Sequence, residues 1–303
     1  PRDRTVIVRI TEIDDVRLDP FRRTRDRDLR ADEGRFVVES PRVVSRFLDA
    51  AREGRFSIDR LLVAPEHAAT FVSIAEPLDA VVHVAEEELM TAASGYHFHG
   101  GALAIGLRPK HEPGLDELIA SIPTEGPMVL IGLAGLTTMD NIGGIFRIAA
   151  ALGANGILLD DACTDPLLRR CIRISMGQVF RMPWARVSSL PDAISELKPL
   201  ASVDSVAIEN LADATPLVET VFPARSLLVI GNEGHGIDPA TLAACSLLVR
   251  IEGPRDLPKD EGPGGPDERS LNAATATAIA LHAAMHRRCT GDVEWVDPGS
   301  GVG

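Results

Sequence analysis

The sequence is poor in cysteine, in aromatic residues and in positive charge, and each shortage excludes a class of protein. Its 303 residues include 4 cysteines, and only 4% of them are aromatic. The cysteines have no CxxC spacing, which argues against a disulfide framework or a zinc site. They are Cys163, Cys171, Cys245 and Cys289. We therefore predict free thiols, no bound metal and a cytoplasmic location.

The sequence also lacks an apolar run long enough to cross a membrane. The most apolar helical stretch, residues 273–285, is too short and contains His282. The N-terminus PRDRTVIVRI is charged and has no apolar segment with a cleavage site, so we predict no signal peptide. With 45% hydrophobic and 25% charged residues, the composition is typical of a globular protein without membrane contact.

The balance of charge is acidic, with one local exception. A net charge of −13 argues, taken alone, against a nucleic-acid partner, because Lys and Arg carry the binding of polyanions. Between Phe21 and Arg30, however, five arginines stand against two aspartates. These arginines are Arg22, Arg23, Arg25, Arg27 and Arg30. From the residues alone, a solvated helix face with charge pairs explains them as well as a phosphate contact does.

The first hundred residues alternate strand and helix patterns, which predicts a small α/β domain. The predicted strands are 34–39, 60–63, 80–84 and 101–107, and the predicted helices are 40–51 and 65–74. The stretch RPKHEPG that follows is rich in proline and charge, which is typical of a linker. We therefore place the first domain at 1–107 and the linker at 108–125.

Beyond the linker, short buried strands alternate with helices. The predicted strands are 128–133, 156–159, 180–184, 205–208, 226–230 and 246–251, and the predicted helices are 142–152, 166–175, 191–197 and 270–286. Apolar runs without polar alternation indicate a parallel sheet covered on both faces. We predict an α/β domain over 126–290 and a flexible tail over 291–303. The stretch 252–268 is acidic and rich in proline and glycine, which predicts a surface loop.

Three segments of the second domain combine glycine and polar residues where a strand gives way to a loop or helix. Ligands bind beyond the carboxyl ends of strands in such sheets. The first segment is NIGGIFR, residues 141–147. Its glycines permit close backbone approach, and Arg147 lies one and a half turns after Asn141. An N-cap role for Asn141 and a surface position for Arg147 would explain this segment equally well.

The second segment is VIGNEGHGI, residues 229–237, where a buried strand runs into three glycines interleaved with polar residues. Such a loop suits a pocket lined by backbone amides and carbonyls. The spacing is not GxGxxG, which disfavours a nicotinamide cofactor. No partner at metal-ligand spacing accompanies His97, His99, His111 or His235.

The third segment is SLNAATATAI, residues 270–279. Ser270 is a suitable N-cap, and the alanines that follow allow close helix packing. An ordinary buried helix could have this composition. It would not explain Asn272 in the first turn, where asparagine has only modest helix propensity.

In this order, NIGGIFR, IGNEGHGI and SLNAATATAI resemble the three signature motifs of the SpoU (TrmH-like) family of SPOUT methyltransferases. The resemblance covers residues 128–286, and RRCIRISMGQVFRMPW is similar to the family's Arg-x-Ser-x-Gly segment. It implies a trefoil-knotted catalytic domain, S-adenosylmethionine as cofactor and methylation of a ribose 2′-hydroxyl. It also implies a homodimer with its active sites at the interface.

The resemblance further implies a role for each motif residue. Arg147 would be the catalytic arginine beside the ribose 2′-hydroxyl, with Asn141 and Glu233 shaping that site. The residues that would hold the cofactor or order its loop are Gly231, Asn232, Ile251, Ser270, Leu271 and Asn272. The proton acceptor stays open, since arginine is normally protonated. Either a strongly perturbed Arg147 is the base, or Arg147 acts electrostatically while Glu233 or a phosphate accepts the proton.

The first domain is similar, more distantly, to the substrate-binding domain often fused ahead of SpoU catalytic domains, a fold like that of small ribosomal RNA-binding proteins. The segment LRADEGRFVVESPRVVSRFLDA carries this likeness. It favours RNA contact for the arginines between Arg22 and Arg30, with rRNA or tRNA as substrate. A non-catalytic RNA-binding or ribosome-assembly factor with the same fold is the alternative. The presence of Asn141, Arg147, Glu233 and Asn272 argues against it.

Two departures from the family pattern bear on the substrate. Thr138 and Met139 stand where the family usually has Asp-Pro, which could alter the loop that faces the target nucleotide. Glu252 stands in place of the usual Pro after Ile251, and the loop before Ser270 is longer and more acidic than is typical. Such a loop could act as a lid or repel unsuitable RNAs.

Overall fold

The computed structural model of the protein describes residues 7–22, 34–95, 100–253 and 271–286. The predicted acidic loop 252–268, apart from its first two residues, and the predicted tail 291–303 lie outside these ranges. Within the described ranges, no helix has both the length and the hydropathy needed to cross a membrane.

The N-terminal part of the described chain forms a mixed five-stranded sheet. Its strands are β1 (Ile7–Arg9), β2 (Arg35–Glu39), β3 (Ser57–Val63), β4 (Val82–Val84) and β5 (Ala102–Leu107). Their order is β1-β4-β3-β5-β2, with β5 antiparallel to β3 and β2 and the other pairs parallel. The helices are α1 (Asp19–Arg22), α2 (Pro41–Arg52), α3 (Pro65–Ala75) and α4 (Glu87–Ser94). The predicted α/β character is confirmed, although β1, α1 and α4 had no predicted counterpart.

The C-terminal part forms a seven-stranded sheet in which all pairs are parallel. Its strands are β6 (Met128–Leu133), β7 (Gly156–Asp160), β8 (Trp184–Val187), β9 (Asp204–Ile208), β10 (Thr215–Pro216), β11 (Arg225–Ile230) and β12 (Leu247–Arg250). The order is β10-β12-β9-β11-β6-β7-β8. The central strands β6 and β11 are buried almost throughout, because helices cover both faces. The predicted parallel α/β domain is confirmed.

Six helices accompany this sheet in the described chain. They are α5 (Leu115–Ser121), α6 (Met139–Leu152), α7 (Arg169–Ile174), α8 (Leu190–Ala201), α9 (Pro239–Ala244) and α10 (Ala273–His286). Helix α5 falls inside the segment 108–125, where we predicted only a linker. The carboxylate of Glu117 accepts from the amide of Gly114 (2.9 Å) at its start, and Leu118 is buried in the core of the seven-stranded sheet. By its packing, α5 is attached to the second sheet.

The strand predicted at 180–184 is wrong. Gln178–Phe180 is instead a short 3-10 helix, and β8 begins only at Trp184. Met176 and Gly177 both have positive φ (54° and 76°), which turns the chain sharply before this segment. The apolar residues that suggested a strand are buried in a different way, because Phe180 and Met182 belong to the core cluster shared by the two sheets.

Aromatic rings join the two sheets. Phe180 packs against Phe36, Phe47 and Phe56 of the N-terminal part, with ring centroids 5.3 to 5.8 Å apart. Phe36, Phe47 and Phe180 are fully buried. Around them, Arg55 donates to the carbonyl of Phe180, and the guanidinium of Arg169 pairs with the carboxylate of Glu39. The junction between the two parts is therefore a packed core with a polar rim.

Candidate functional site

The three glycine and polar segments meet at one edge of the seven-stranded sheet. Strands β6, β11, β9 and β12 are neighbours and parallel, so the loops that follow them leave from the same edge. A cleft lies there, beside the start of α10. It is lined by Ile208, Glu209, Asn210, Ile230, Gly231, Asn232, Glu233, Gly236, Ile251, Leu271, Ala273 and Ala276. Four of the predicted cofactor residues, Gly231, Asn232, Ile251 and Leu271, are among them.

Asn272 links the three segments through its side-chain amide. Its Nδ2 donates to Oδ1 of Asn141 (2.8 Å) and to Oε1 of Glu233 (2.7 Å). The amide of Ala273 donates to the same oxygen of Glu233 (3.2 Å). Asn141, Glu233 and Asn272 come from three distant parts of the sequence, and they form one hydrogen-bonded group.

Asn272 also caps α10. Its Oδ1 accepts from the backbone amides of Ala274 (3.0 Å) and Thr275 (3.3 Å), and the helix begins at Ala273. The expectation that Asn272 lies inside the first helical turn is therefore wrong. An asparagine that precedes a helix and accepts from its free amides is favourable, which removes the apparent conflict with helix propensity. The proposed N-cap Ser270 lies outside the described residues.

Helix α6 begins earlier than expected, at Met139, with Thr138 at the N-cap position. Asn141 is thus the third residue of the helix and 4% exposed, so the interpretation of Asn141 as an N-cap is wrong. The adjacent glycines permit close helix packing, as expected. A Cβ on Gly143 would lie 2.8 Å from the carbonyl oxygen of Cys171, and one on Gly144 would lie 3.3 Å from Cβ of Ala274. Helices α7 and α10 therefore pack against this part of α6.

Arg147 is exposed, and it has no hydrogen-bond or ion-pair partner among the residues that the structure describes. It follows Gly143 by four residues and Gly144 by three, so it emerges from α6 between the faces that meet α7 and α10. It does not line the cleft, and among the described residues no hydrogen bond or ion pair joins it to Asn141 or Glu233. Its guanidinium is thus free to meet a ligand.

The glycine-rich loop after β11 is a tight turn. The amide of Asn232 donates to the carbonyl of Gly236 (3.1 Å), and the amide of Gly236 donates back (2.7 Å). The side chain of Asn232 donates to the carbonyl of Gly135 (2.8 Å), which ties the loop to the segment after β6. A Cβ on Gly231 would lie 2.4 Å from the carbonyl carbon of Gly236, so only glycine fits there.

Sequence reasoning missed Glu209 as a residue of this site. Its Oε2 accepts from the amide of Ile237 (2.9 Å), and a Cβ on Gly236 would meet the same oxygen at 2.7 Å. Glu209 therefore fixes the far end of the glycine-rich loop from the end of β9. The available signal was its position, a carboxylate directly after the buried strand predicted at 205–208.

Glu252, the departure noted at the end of β12, has a local explanation. Its carboxylate accepts from the amides of Leu217 (2.9 Å) and Val218 (3.2 Å), at the start of the 3-10 helix Leu217–Glu219. The residue thus supplies acceptors for free amides of a neighbouring turn. Proline, which has no side-chain acceptor, would leave them without this partner.

The other described residues singled out from the sequence do not line the cleft. Arg22 is exposed and pairs with Asp19 (3.2 Å), while Arg23, Arg25, Arg27 and Arg30 lie outside the described residues. His111 and His235 are exposed, and His97 and His99 are not described. In the described ranges, no group of three or more His, Cys, Asp or Glu side chains is placed to hold a metal ion.

The described cysteines are free thiols. Burial raises the pKa of Cys163 to about 12 and that of Cys245 to about 11. Both thiols are therefore protonated at neutral pH. Because the thiolate is the nucleophilic form of cysteine, neither residue is a candidate for covalent catalysis.

Comparison with known proteins gives a consistent result. Residues 128–282 match the model of the SpoU rRNA methylase family. An uncharacterised tRNA/rRNA methyltransferase of Mycobacterium bovis is 30% identical over 280 residues, which are 90% of each chain. The 23S rRNA (guanosine-2′-O-)-methyltransferase of Bordetella pertussis is 30% identical over 225 residues, covering 72% of this chain and 83% of that protein.

Solved structures agree on the fold. The AdoMet-bound rRNA methyltransferase from Sinorhizobium meliloti superposes with a TM-score of 0.71 at 22% identity, over 92% of this chain and 97% of the other. The SpoU methyltransferase AviRb from Streptomyces viridochromogenes superposes with a TM-score of 0.66 at 22% identity, over 89% and 95% of the two chains. The similarity extends through both sheets.

Proposed function

The chain belongs to the SpoU rRNA methylase family, and from that membership we propose that it transfers a methyl group from S-adenosylmethionine to a ribose 2′-hydroxyl of rRNA or tRNA. One observation carries the proposal. The motif residues Asn141, Glu233 and Asn272 form a single hydrogen-bonded group beside a glycine-lined cleft. A protein that only binds RNA has no need for such a group.

The residues of the cleft fit the cofactor. Its lining combines apolar side chains with backbone amides and carbonyls, as a nucleoside-type ligand requires. A Cβ on Gly231 would collide with the backbone of Gly236, so glycine at this position lets two backbone segments of the loop lie in contact beside the cleft. We assign cofactor binding to Gly231, Asn232, Ile251, Ser270, Leu271 and Asn272. S-adenosylmethionine supplies a methyl group on a sulfonium, already activated for displacement.

Catalysis then depends on positioning and on handling one proton. Oε1 of Glu233 already accepts two hydrogen bonds, so we assign Glu233 and Asn141 to shaping the site. Arg147 is the exposed cation of the motif and has no partner among the described residues. We assign it to electrostatic stabilisation of the developing 2′-oxyanion, and the 2′-hydroxyl proton then passes to a phosphate of the RNA.

The finer organisation of the protein is part of the same proposal. We infer a homodimer, supported by Met139, Leu271 and Ile279, which are large apolar side chains 36 to 43% exposed on or beside α6 and α10. We further propose domain limits of 1–107 and 126–290, a trefoil knot in the second domain and a cytoplasmic location. Sedimentation equilibrium of the full chain tests the dimer, and a monomer at micromolar concentration would contradict it.

Cofactor binding and methyl transfer test the main proposal. We expect calorimetric titration to show S-adenosylmethionine binding, and we expect Arg147→Ala to abolish methyl transfer to unmodified rRNA and tRNA while cofactor affinity stays within about twofold. Arg52→Ala, at an exposed arginine of α2, is the control and should retain activity. Absence of cofactor binding at high micromolar concentration would overturn the proposal. It would favour a non-catalytic RNA-binding factor.

A further inference from the structure

Helix α2 of the first sheet packs directly on the turn that precedes β8 in the second sheet. Val43 of α2 contacts Gly177, where an added Cβ would lie 3.0 Å from Cγ1 of Val43. The 3-10 helix Gln178–Phe180 contacts both α2 and α6. This turn therefore lies between the two parts of the molecule and beside the helix that carries Arg147.

Three arginines converge on this contact. Arg46 of α2 donates from its guanidinium to the carbonyl of Met176. Arg42 lies one turn earlier on the same helix, on the same face. Arg181 immediately follows the 3-10 helix and comes from the other side of the junction. We call Arg42, Arg46 and Arg181 the junction arginine cluster.

The charge of this cluster is not neutralised by the described protein. Neighbouring arginines pair with acids, as Arg55 does with Glu53, Arg173 with Glu39 and Arg170 with Asp140. Within the described ranges, by contrast, the side chains of Arg42 and Arg181 are exposed and have no hydrogen-bond or ion-pair partner, and Arg46 has only a carbonyl. Burial lowers the pKa of Arg46, and the charges of Arg42 and Arg181 lower it further.

An arrangement of this kind costs free energy unless an anion is bound. Like charges that lie close together repel one another. The chain has a net charge of −13, so acidic residues are abundant, yet none of the described ones pairs with this cluster. Guanidinium groups match phosphate oxygens in geometry and charge. Resting on the proposed function, we infer that the junction arginine cluster binds phosphate groups of the substrate RNA, across the junction and beside the helix of Arg147.

The junction arginine cluster is distinct from the arginines between Arg22 and Arg30. The junction arginine cluster draws on both sheets, so RNA bound there bridges the domain that selects it and the domain that modifies it. Phosphate contacts position the RNA and carry no base information. The cluster therefore sets the register of the substrate relative to Arg147.

Binding of a fluorescein-labelled transcript of 23S rRNA, measured by anisotropy between 50 and 300 mM KCl, tests the inference. The variant is Arg42→Gln/Arg181→Gln, because both side chains are exposed and neither has a described partner. Its control is Arg52→Gln/Lys198→Gln, which removes the same charge from exposed positions elsewhere. We expect the first variant to bind about 10-fold more weakly, with the slope of log K against log salt reduced by roughly 1.5 to 2. The control should stay within about twofold of wild type.

Parallel titration with S-adenosylmethionine separates the two proposals. Equal cofactor affinity in wild type and both variants, with a salt slope lowered only in the first, supports the cluster. If both variants bind RNA with the same affinity and the same dependence of log K on log salt, the proposed role of the cluster is overturned, whatever the cofactor result. A wild-type protein that binds RNA but no cofactor overturns the proposed function, and the difference in slopes still decides the role of the cluster. Weakened binding to an acidic peptide but not to RNA would assign the cluster to a protein partner and overturn the inference.

Discussion

Asn272 connects the site through both ends of one amide. Its nitrogen donates to Asn141 and Glu233, while its oxygen caps α10. The two functions depend on different atoms of the same side chain. Substitutions that keep one atom and lose the other therefore separate site assembly from helix stability.

We predict that Asn272→Asp weakens cofactor binding at least 10-fold while it keeps the cap of α10. Aspartate caps helices as well as asparagine does, but it has no donor and adds a negative charge beside Glu233. Asn272→Ala should lose the cap too and unfold with about 1 kcal/mol less free energy. Urea denaturation and calorimetric titration measure the two effects. Wild-type cofactor affinity in Asn272→Asp would show that the amide donors are unimportant.

Gly231 and Gly234 provide a matched pair in one loop. A Cβ on Gly231 would meet the backbone of Gly236 at 2.4 Å, whereas one on Gly234 would meet only the side-chain oxygen of Asn232 at 3.4 Å. We predict that Gly231→Ala reduces cofactor affinity more than 100-fold, because the loop must move away from the cleft. Gly234→Ala should bind within about threefold of wild type. Similar losses in both variants, measured by titration, would contradict this assignment.

Among the helices and strands, the sequence predicts most of those that have a regular pattern of apolar residues. Continuous apolar runs indicated β6 and β11, and the interior of α6 followed from its periodicity. The start of α6 was misplaced because Asn141 resembles an N-cap, and only the packing of α7 and α10 shows that it is buried inside the helix. The strand predicted at 180–184 was wrong for a similar reason, because Phe180 is buried against residues of the first sheet and not within a strand.

The site itself could be predicted only in part. Motif order identified Asn141, Glu233 and Asn272, and the structure brings these together. Glu209 was missed, although it directly follows a predicted strand, because its role depends on a contact with Ile237, 28 residues away. Nor does the sequence reveal that Asn272 is a cap, since that depends on where α10 begins.

The packing of α6 against its neighbours gives a prediction at this scale. Gly143→Ala would place a Cβ 2.8 Å from both the carbonyl oxygen of Cys171 and the Cβ of Ile174, so α6 and α7 must separate. We expect it to lower the free energy of unfolding by about 1–3 kcal/mol, despite the helix propensity of alanine. In Gly144→Ala the new Cβ would lie 3.3 Å from one methyl group, that of Ala274. The higher helix propensity of alanine should roughly offset the cost of that contact. Urea denaturation measures the free energy of unfolding of both variants, and an equal decrease in the two would contradict the difference in packing.

For the whole molecule, one core cluster includes residues of both sheets. Hydrogen bonds and ion pairs surround it, including the pair between Arg108 and Asp165. Two sheets that share a core in this way lose it together on unfolding. The contacts across the junction therefore favour a single cooperative unit.

We predict one calorimetric unfolding transition for the full chain. Phe180→Ala should lower the free energy of unfolding by about 3–5 kcal/mol, since it removes the ring that contacts Phe36, Phe47 and Phe56. Val218→Ala, at a side chain 61% exposed, is the control and should have little effect. Two separate transitions in the wild-type protein would show that the sheets unfold independently.

The shared aromatic core also limits how this architecture can be recombined. Phe180 lies in the C-terminal sequence but fills a space among phenylalanines of the N-terminal sequence, and the carboxylate of Glu39 is held by arginines of α7. A chimaera that replaced only residues 1–107 would expose the ring of Phe180 and would remove the carboxylate of Glu39 from Arg169 and Arg173. A unit that can be exchanged without these losses therefore does not coincide with residues 1–107, because it also includes the segment 169–181.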